Sequence, residues 1–151
     1  MNIQTQPNAM PLFQTRWDSL ICLEPGLSSS NVVTAGTPIS LRAELGFDGA
    51  LAAGMIGQTV RIAYHALRIE DNVAVPTLLS PDTVVTAGNL AHLVVIGGPF
   101  TTVPGGDLPV APSPLFASGT YRIVGHLHFP FNPALDSVVT AFCDGLIIMV
   151  S

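Results

Sequence analysis

The sequence predicts an all-β fold, an antiparallel β-sandwich of about seven to nine strands. Three observations carry that prediction. Apolar and polar residues alternate with a period of two in several short stretches, the mark of half-buried strands. Turn residues recur along the chain at roughly the spacing of sandwich strands. The 14 Gly and 13 Pro among 151 residues break every stretch that could otherwise hold a long helix.

Residues 1–16 are polar, carry Pro7 and Pro11 and lack periodicity, so they read as an extended arm ahead of a domain at 17–151. Residues 17–23 (WDSLICL) form a first strand, stopped by the Pro25-Gly26 turn. Val32-Val33 is a short strand, Ala35-Gly36 a turn, and 39–45 a strand with Ile39, Leu41, Ala43 and Leu45 on one face. Residues 48–57 (DGALAAGMIG) are a small-residue connection with room for one helical turn. Residues 58–69 are a long strand with Val60, Ile62, Tyr64 and Ala66 on one side and Arg61, Ala63, His65 and Leu67 on the other. A hairpin at Glu70-Asp71-Asn72 leads to an edge strand at 73–79, which Pro76 keeps from the sheet interior.

Residues 83–85, the Ala87-Gly88 turn and residues 90–96 form a further pair. The segment VVTAG occurs at 32–36 and again at 84–88, with a partial copy at 138–141. Two full copies are too few for a solenoid, so the expectation is one short-strand, turn, long-strand device used twice in one sheet. Residues 97–117 read as a long loop, with five prolines and four glycines. Residues 118–130 (SGTYRIVGHLHFP) organise the rest. Tyr121, Ile123, Gly125, Leu127 and Phe129 face the core, while Arg122, Val124, His126 and His128 face outward. A turn at Phe131-Asn132-Pro133 precedes the last strand, read as 137–150 with a break at Asp144-Gly145.

The run 115–121, with Leu115, Gly119, Thr120 and Tyr121, resembles the tyrosine corner of immunoglobulin-like and fibronectin type III-like domains. Residues 31–45 resemble the opening strands of bacterial immunoglobulin-like modules. The resemblance implies an immunoglobulin-like sandwich over 17–150, with Tyr121 hydrogen-bonded back to upstream backbone. The Cys…Trp…Cys pattern of antibody domains is missing, since Ile123 follows the tyrosine by two and Trp17 is on the first strand. A fold of this kind does not set a function.

Composition narrows the function classes. Charged residues make up 10% of the chain, with five Arg and no Lys, and the net charge is −5. Scattered Arg on an acidic chain argues against nucleic acid, which demands clustered cations. No apolar run is long enough for a membrane span. The start lacks a basic region followed by an apolar core, so a cytoplasmic location is expected. Cys22 and Cys143 lie in apolar runs without a CxxC pattern, and read as free thiols or, in an oxidising compartment, a disulfide between terminal strands.

His126 and His128 stand two apart on a strand and point the same way, and His65 on the neighbouring strand would join them. This is the arrangement of a three-His zinc or copper site, set against the plainer reading of surface or interface histidines. GHLHF also resembles the copper-binding GxHxH strand of Cu/Zn superoxide dismutase, though that family's other histidines are missing. A cupredoxin is disfavoured because no His stands between Cys143 and Met149. His92 lies in the apolar run LAHLVV and reads as a satisfied or half-exposed histidine. No nucleophile elbow, carboxylate pair or phosphate cradle is found. The leading expectation is therefore a non-enzymatic subunit, without cofactor, that self-associates into a homo-oligomer. Its interface would combine the arm, Phe100, Leu108 and Phe116 of the 97–117 loop, and an outer face carrying Leu67, Val124 and the three histidines. The alternative is a glycan- or peptide-binding module using that loop and the aromatics Phe100, Phe116 and Phe131. A His-based metalloenzyme ranks last.

Overall fold

In the computed structural model, which describes residues 12–26, 28–102, 116–139 and 141–151, two sheets pack face to face. The first has three strands in the order β1-β3-β8: β1 (Gln14–Leu23), β3 (Ile39–Asp48) and β8 (Leu93–Phe100). The second has seven. Its main path runs β2 (Val32–Val33), β10 (Phe142–Val150), β9 (Gly119–His128), β4 (Thr59–Arg68) and β5 (Val73–Ala74). Two further pieces, β6 (Leu78–Leu79) and β7 (Thr83–Val84), also pair with β4. The strand total slightly exceeds the expectation because four of the ten are two residues long. The pairing is antiparallel except for β2, which runs parallel to β10 at Met149 and Val150. No helix among the described residues is long and apolar enough to cross a membrane.

The core lies between the sheets and follows the alternation read from the sequence. In β3 every residue from Ile39 to Leu45 alternates buried and half-buried as expected. Leu41, Leu45 and Phe47 meet Val60, Ile62 and Tyr64 of β4 and Ile123 and Leu127 of β9 within one buried cluster. Each large apolar side chain so placed contributes about 1.5–3 kcal/mol relative to exposure. The Tyr64 hydroxyl donates to the Leu41 carbonyl at 3.3 Å and links the two sheets across the core. The tyrosine corner is present: Tyr121 is buried, its hydroxyl donates to the Ala117 carbonyl at 2.7 Å, and its ring meets Phe116 edge-on. Gly125 is glycine for room. A Cβ there would stand 2.8 Å from Trp17, whose indole crosses the strand.

Several expectations need correction. Residues 14–16 belong to β1, so the arm ends earlier than position 16; residues 1–11 lie outside the described residues. The VVTAG device does not stay in one sheet. β2 and β7 belong to the seven-stranded sheet, and the strands that follow them, β3 and β8, belong to the other. The repeated segment is thus a crossing between sheets, turned each time by a hydrogen bond, Thr37 N–H to Thr34 and Asn89 N–H to Thr86. For the same reason β7 and β8 are not partners.

Residues 97–100 are strand rather than loop: β8 is an edge strand, where Pro99 needs no ladder partner for its nitrogen. Residues 103–115 of the expected loop, with Leu108 and Leu115, lie outside the described residues. The last strand begins at Phe142. Residues 133–138 form instead a short helix α1 (Pro133–Val138), with Pro133 in its first turn and the Asn132 side chain capping Leu135 N–H. The expected break at 144–145 is a register shift between Cys143 and Leu146. Cys22 is buried and Cys143 half-buried, and both are free thiols.

Candidate functional site

The two sheets differ most on their outer faces. The three-stranded sheet presents charge. Arg16 binds Asp18 and Asp48, Arg42 binds Glu44, and Glu44 also accepts from Ser19 and lies 3.2 Å from His92. The Ser19 bond, against an opposing effect of burial, holds the Glu44 carboxyl below its ordinary value, with His92 and Arg42 adding to it. His92 sits in the bend before β8, not within a strand, and is exposed.

The seven-stranded sheet presents apolar side chains and three histidines. The register places them in rows across the strands. Val32, Met149 and Thr120 share the first row, with Ile69 alongside through its N–H bond to Thr120. Ile147, Arg122, Leu67 and Ala74 form the second. Val124 and His65 are opposed in the third. Phe142, His126, Ala63 and Leu79 form the fourth, and His128 with Arg61 the fifth. Large apolar side chains on this face run from Leu67 at 37% exposure to Phe142 at 60%. An apolar sheet face of this extent is the kind of surface that other molecules cover.

The charges on the face are mutually engaged. Arg61 grips Asp82 through two nitrogens, and Arg122 grips Asp144. Arg68, nearly buried below the face, holds Asp71. With Arg16 and Arg42 on the far sheet, all five arginines of the chain are paired with carboxylates, and no unpaired guanidinium is left for a phosphate. With so few charges, each cation sits beside an acid close by: on its own strand for Arg42, and on a neighbouring strand, turn or loop for the rest.

The histidines share one side of the sheet, as the strand periodicity requires. The His126 ring stacks on Phe142 at 4.2 Å and 14° between planes, and its centroid lies 4.0 Å from His128 and 6.5 Å from His65. Asp136 of α1 approaches His128 Nδ1 at 3.3 Å while accepting the Phe129 N–H. Thr77 Oγ1 reaches His65 Nδ1 at 3.5 Å. Burial, followed by the neighbouring imidazoles His128 and His65, pushes the His126 pKa down, and Asp136 opposes them. Two open grooves flank the cluster. One of about 400 Å3 runs between His65, Leu79, His128 and Asp136; another of about 330 Å3 lies over Leu67, Ala74, Arg122 and Val124.

Of the sequence-derived candidates, His65, His126, His128, Leu67 and Val124 come together here. The metal expectation does not carry through in the geometry: among the described residues no three His, Cys, Asp or Glu side chains are arranged to hold a metal ion. Two of the expected contact residues are elsewhere. Phe116 is fully buried against Tyr121, because the tyrosine corner needs an apolar partner at that point, and it cannot meet a ligand or a neighbour. Phe100 is half-buried at the end of β8 with its ring edge-on to Tyr64, and Phe131 stands exposed before α1. The sequence reading missed Phe142, Ile147, Met149 and Leu79. Their alternation with buried Leu146, Ile148, Val150 and Leu78 was a usable signal.

A two-sheet antiparallel sandwich is a common domain class, and the comparisons with known proteins agree at that level. No protein-family profile matches the chain, and no curated protein does. Among solved structures, the C-terminal domain of Wzt superposes with a TM-score of 0.54 at 12% identity, covering 97% of this chain and 82% of that one. The CARDB domain of a Pyrococcus furiosus protein, determined in complex with di-metal ions, gives a TM-score of 0.40 at 12% identity, covering 99% and 100%. The Wzt likeness shows a shared immunoglobulin-like β-sandwich fold.

Proposed function

We propose that this protein is a non-catalytic structural module that self-associates through the outer face of its seven-stranded sheet. One observation carries the reading: that face carries a broad set of exposed apolar side chains, and its arginines, Arg61 and Arg122, are neutralised in place by Asp82 and Asp144. A chain of net charge −5 repels its copies in general, but among the described residues this face carries only Asp136 without a cationic side-chain partner when the imidazoles are neutral. A second copy is therefore the occupant that meets the least opposition.

The size fits as well. Strands about 4.8 Å apart and a two-residue repeat of about 6.7 Å give the five rows a patch of roughly 500 Å2 per copy, near the lower limit for a specific dimer. Apolar burial at about 25 cal/mol per Å2 supplies the drive. The polar groups in the two grooves are engaged with each other and the grooves are open, which suits a contact surface better than a reaction site.

Sedimentation velocity over a concentration range on the order of 1–100 μM, centred where interfaces of this size dissociate, tests the reading. The expected result is a species of at least twice the chain mass, reduced to one chain by Leu67→Glu or Ile147→Asp. A single-chain species at every concentration would overturn it.

A further inference from the structure

The three histidines occupy the part of the patch where a stacked copy would exclude water. Resting on the self-association proposed above, we propose that the face is a pH-gated contact, held together while His65, His126 and His128 are neutral and released when they take up protons.

The charges around His126 decide the sign. On its own strand it faces His128 and Arg122, on β4 His65 and Arg61, on β10 Asp144, and on α1 Asp136. Arg61 and Arg122 are already bound to Asp82 and Asp144. Asp136 is the one carboxylate left to meet three imidazoles. With the rings neutral, the face carries one negative charge. The first proton brings it to zero. The second and third put two uncompensated positive charges on each copy, opposite the same two on its partner, in a zone drier than the free surface. The ring of His126 has the least freedom to escape, being stacked on Phe142 with the tilted ring of His128 against it.

A histidine whose proton affinity is depressed in the closed state stabilises that state above its ordinary value of about 6.5 and loses the contribution as pH falls. A depression of one unit in each of two copies weakens the contact about a hundredfold in the limit of low pH, and about 25-fold at pH 5.5.

The experiment is sedimentation velocity at pH 7.5 and pH 5.5, with near-ultraviolet circular dichroism at both, on the native chain and on the triple variant His65→Gln, His126→Gln, His128→Gln. Glutamine keeps the face polar and uncharged, and the circular dichroism spectrum at pH 7.5 checks that the variant keeps the native fold. The expected result is a native dissociation constant roughly 25-fold weaker at the lower pH with the folded signal unchanged, and a triple variant indifferent to pH. Three outcomes would overturn the gate: a native contact equally tight at both values, a triple variant that weakens in step with the native chain, or loss of the folded signal at pH 5.5. In each of these the association at pH 7.5 stands. A native chain that is single at both values overturns the self-association itself, and the gate with it.

Discussion

Tyr121→Phe isolates one hydrogen bond on which the junction of β9 with the preceding segment depends. Tyr121 is 2% exposed and Ala117, its acceptor, is wholly buried. Phenylalanine keeps the ring and its edge-on contact with Phe116 at 5.0 Å, so only the hydroxyl is lost. The exchange removes a neutral hydrogen bond, worth about 1 kcal/mol net, and strands a buried carbonyl, which costs about 1–3 kcal/mol. The buried guanidinium of Arg68, which also approaches the tyrosine oxygen, loses a partner too. The expected destabilisation is about 2 kcal/mol, a large share of a total of about 5–15 kcal/mol. For a chain of this length that lowers the melting temperature by about 4–8 °C. Urea unfolding at low protein concentration, where association adds nothing, should show a lower midpoint with an unchanged m-value. A variant within about 0.5 kcal/mol of the native chain would show that the carbonyl is solvated or otherwise satisfied, and would refute the assigned role of this corner.

Three more predictions follow from the packing and charges. Gly125→Ala places a methyl group 2.8 and 2.9 Å from two atoms of the rigid Trp17 ring; a loss of about 1–3 kcal/mol and a shifted tryptophan emission are expected, and unchanged emission would contradict the contact. Cys22, buried and with its pKa pushed up to about 11, should resist a thiol reagent at pH 8 until the chain unfolds, whereas half-buried Cys143 should react in the native state; equal rates would argue against this burial. The Arg68 hydrogen bonds hold the Asp71 carboxyl below its ordinary range, so its contribution is full above the unfolded carboxylate value of about 4 and disappears as pH falls below it. Asp71→Asn should therefore cost stability at pH 7 and little at pH 3, and a gap between variant and native chain that is equal at both values would dispose of the ion pair as its source.

Much of the site could be read in advance because the period of a strand is a local property. The alternation in 118–130 sent Tyr121, Ile123, Leu127 and Phe129 inward and Val124, His126 and His128 outward, and the structure has them so. His65 joined them because β4 lies against β9 with His65 opposite Val124. The short helix at 133–138 had a visible signal in Asn132-Pro133, a capping residue followed by a first-turn proline, but six residues are too few to show a helical period.

The sequence by itself determined the strand-rich class, the inward and outward sets of each long strand and the tyrosine corner, since all three depend on neighbours within a few residues. It also determined that charge would be scarce. Only the tertiary structure decided which sheet took each two-residue strand, that Phe116 would fill the core beneath Tyr121, and that Arg16, Arg61 and Arg122 would meet carboxylates far along the chain. Those outcomes depend on register and on the stacking of two sheets, and the spacing of residues along a chain carries no direct record of either.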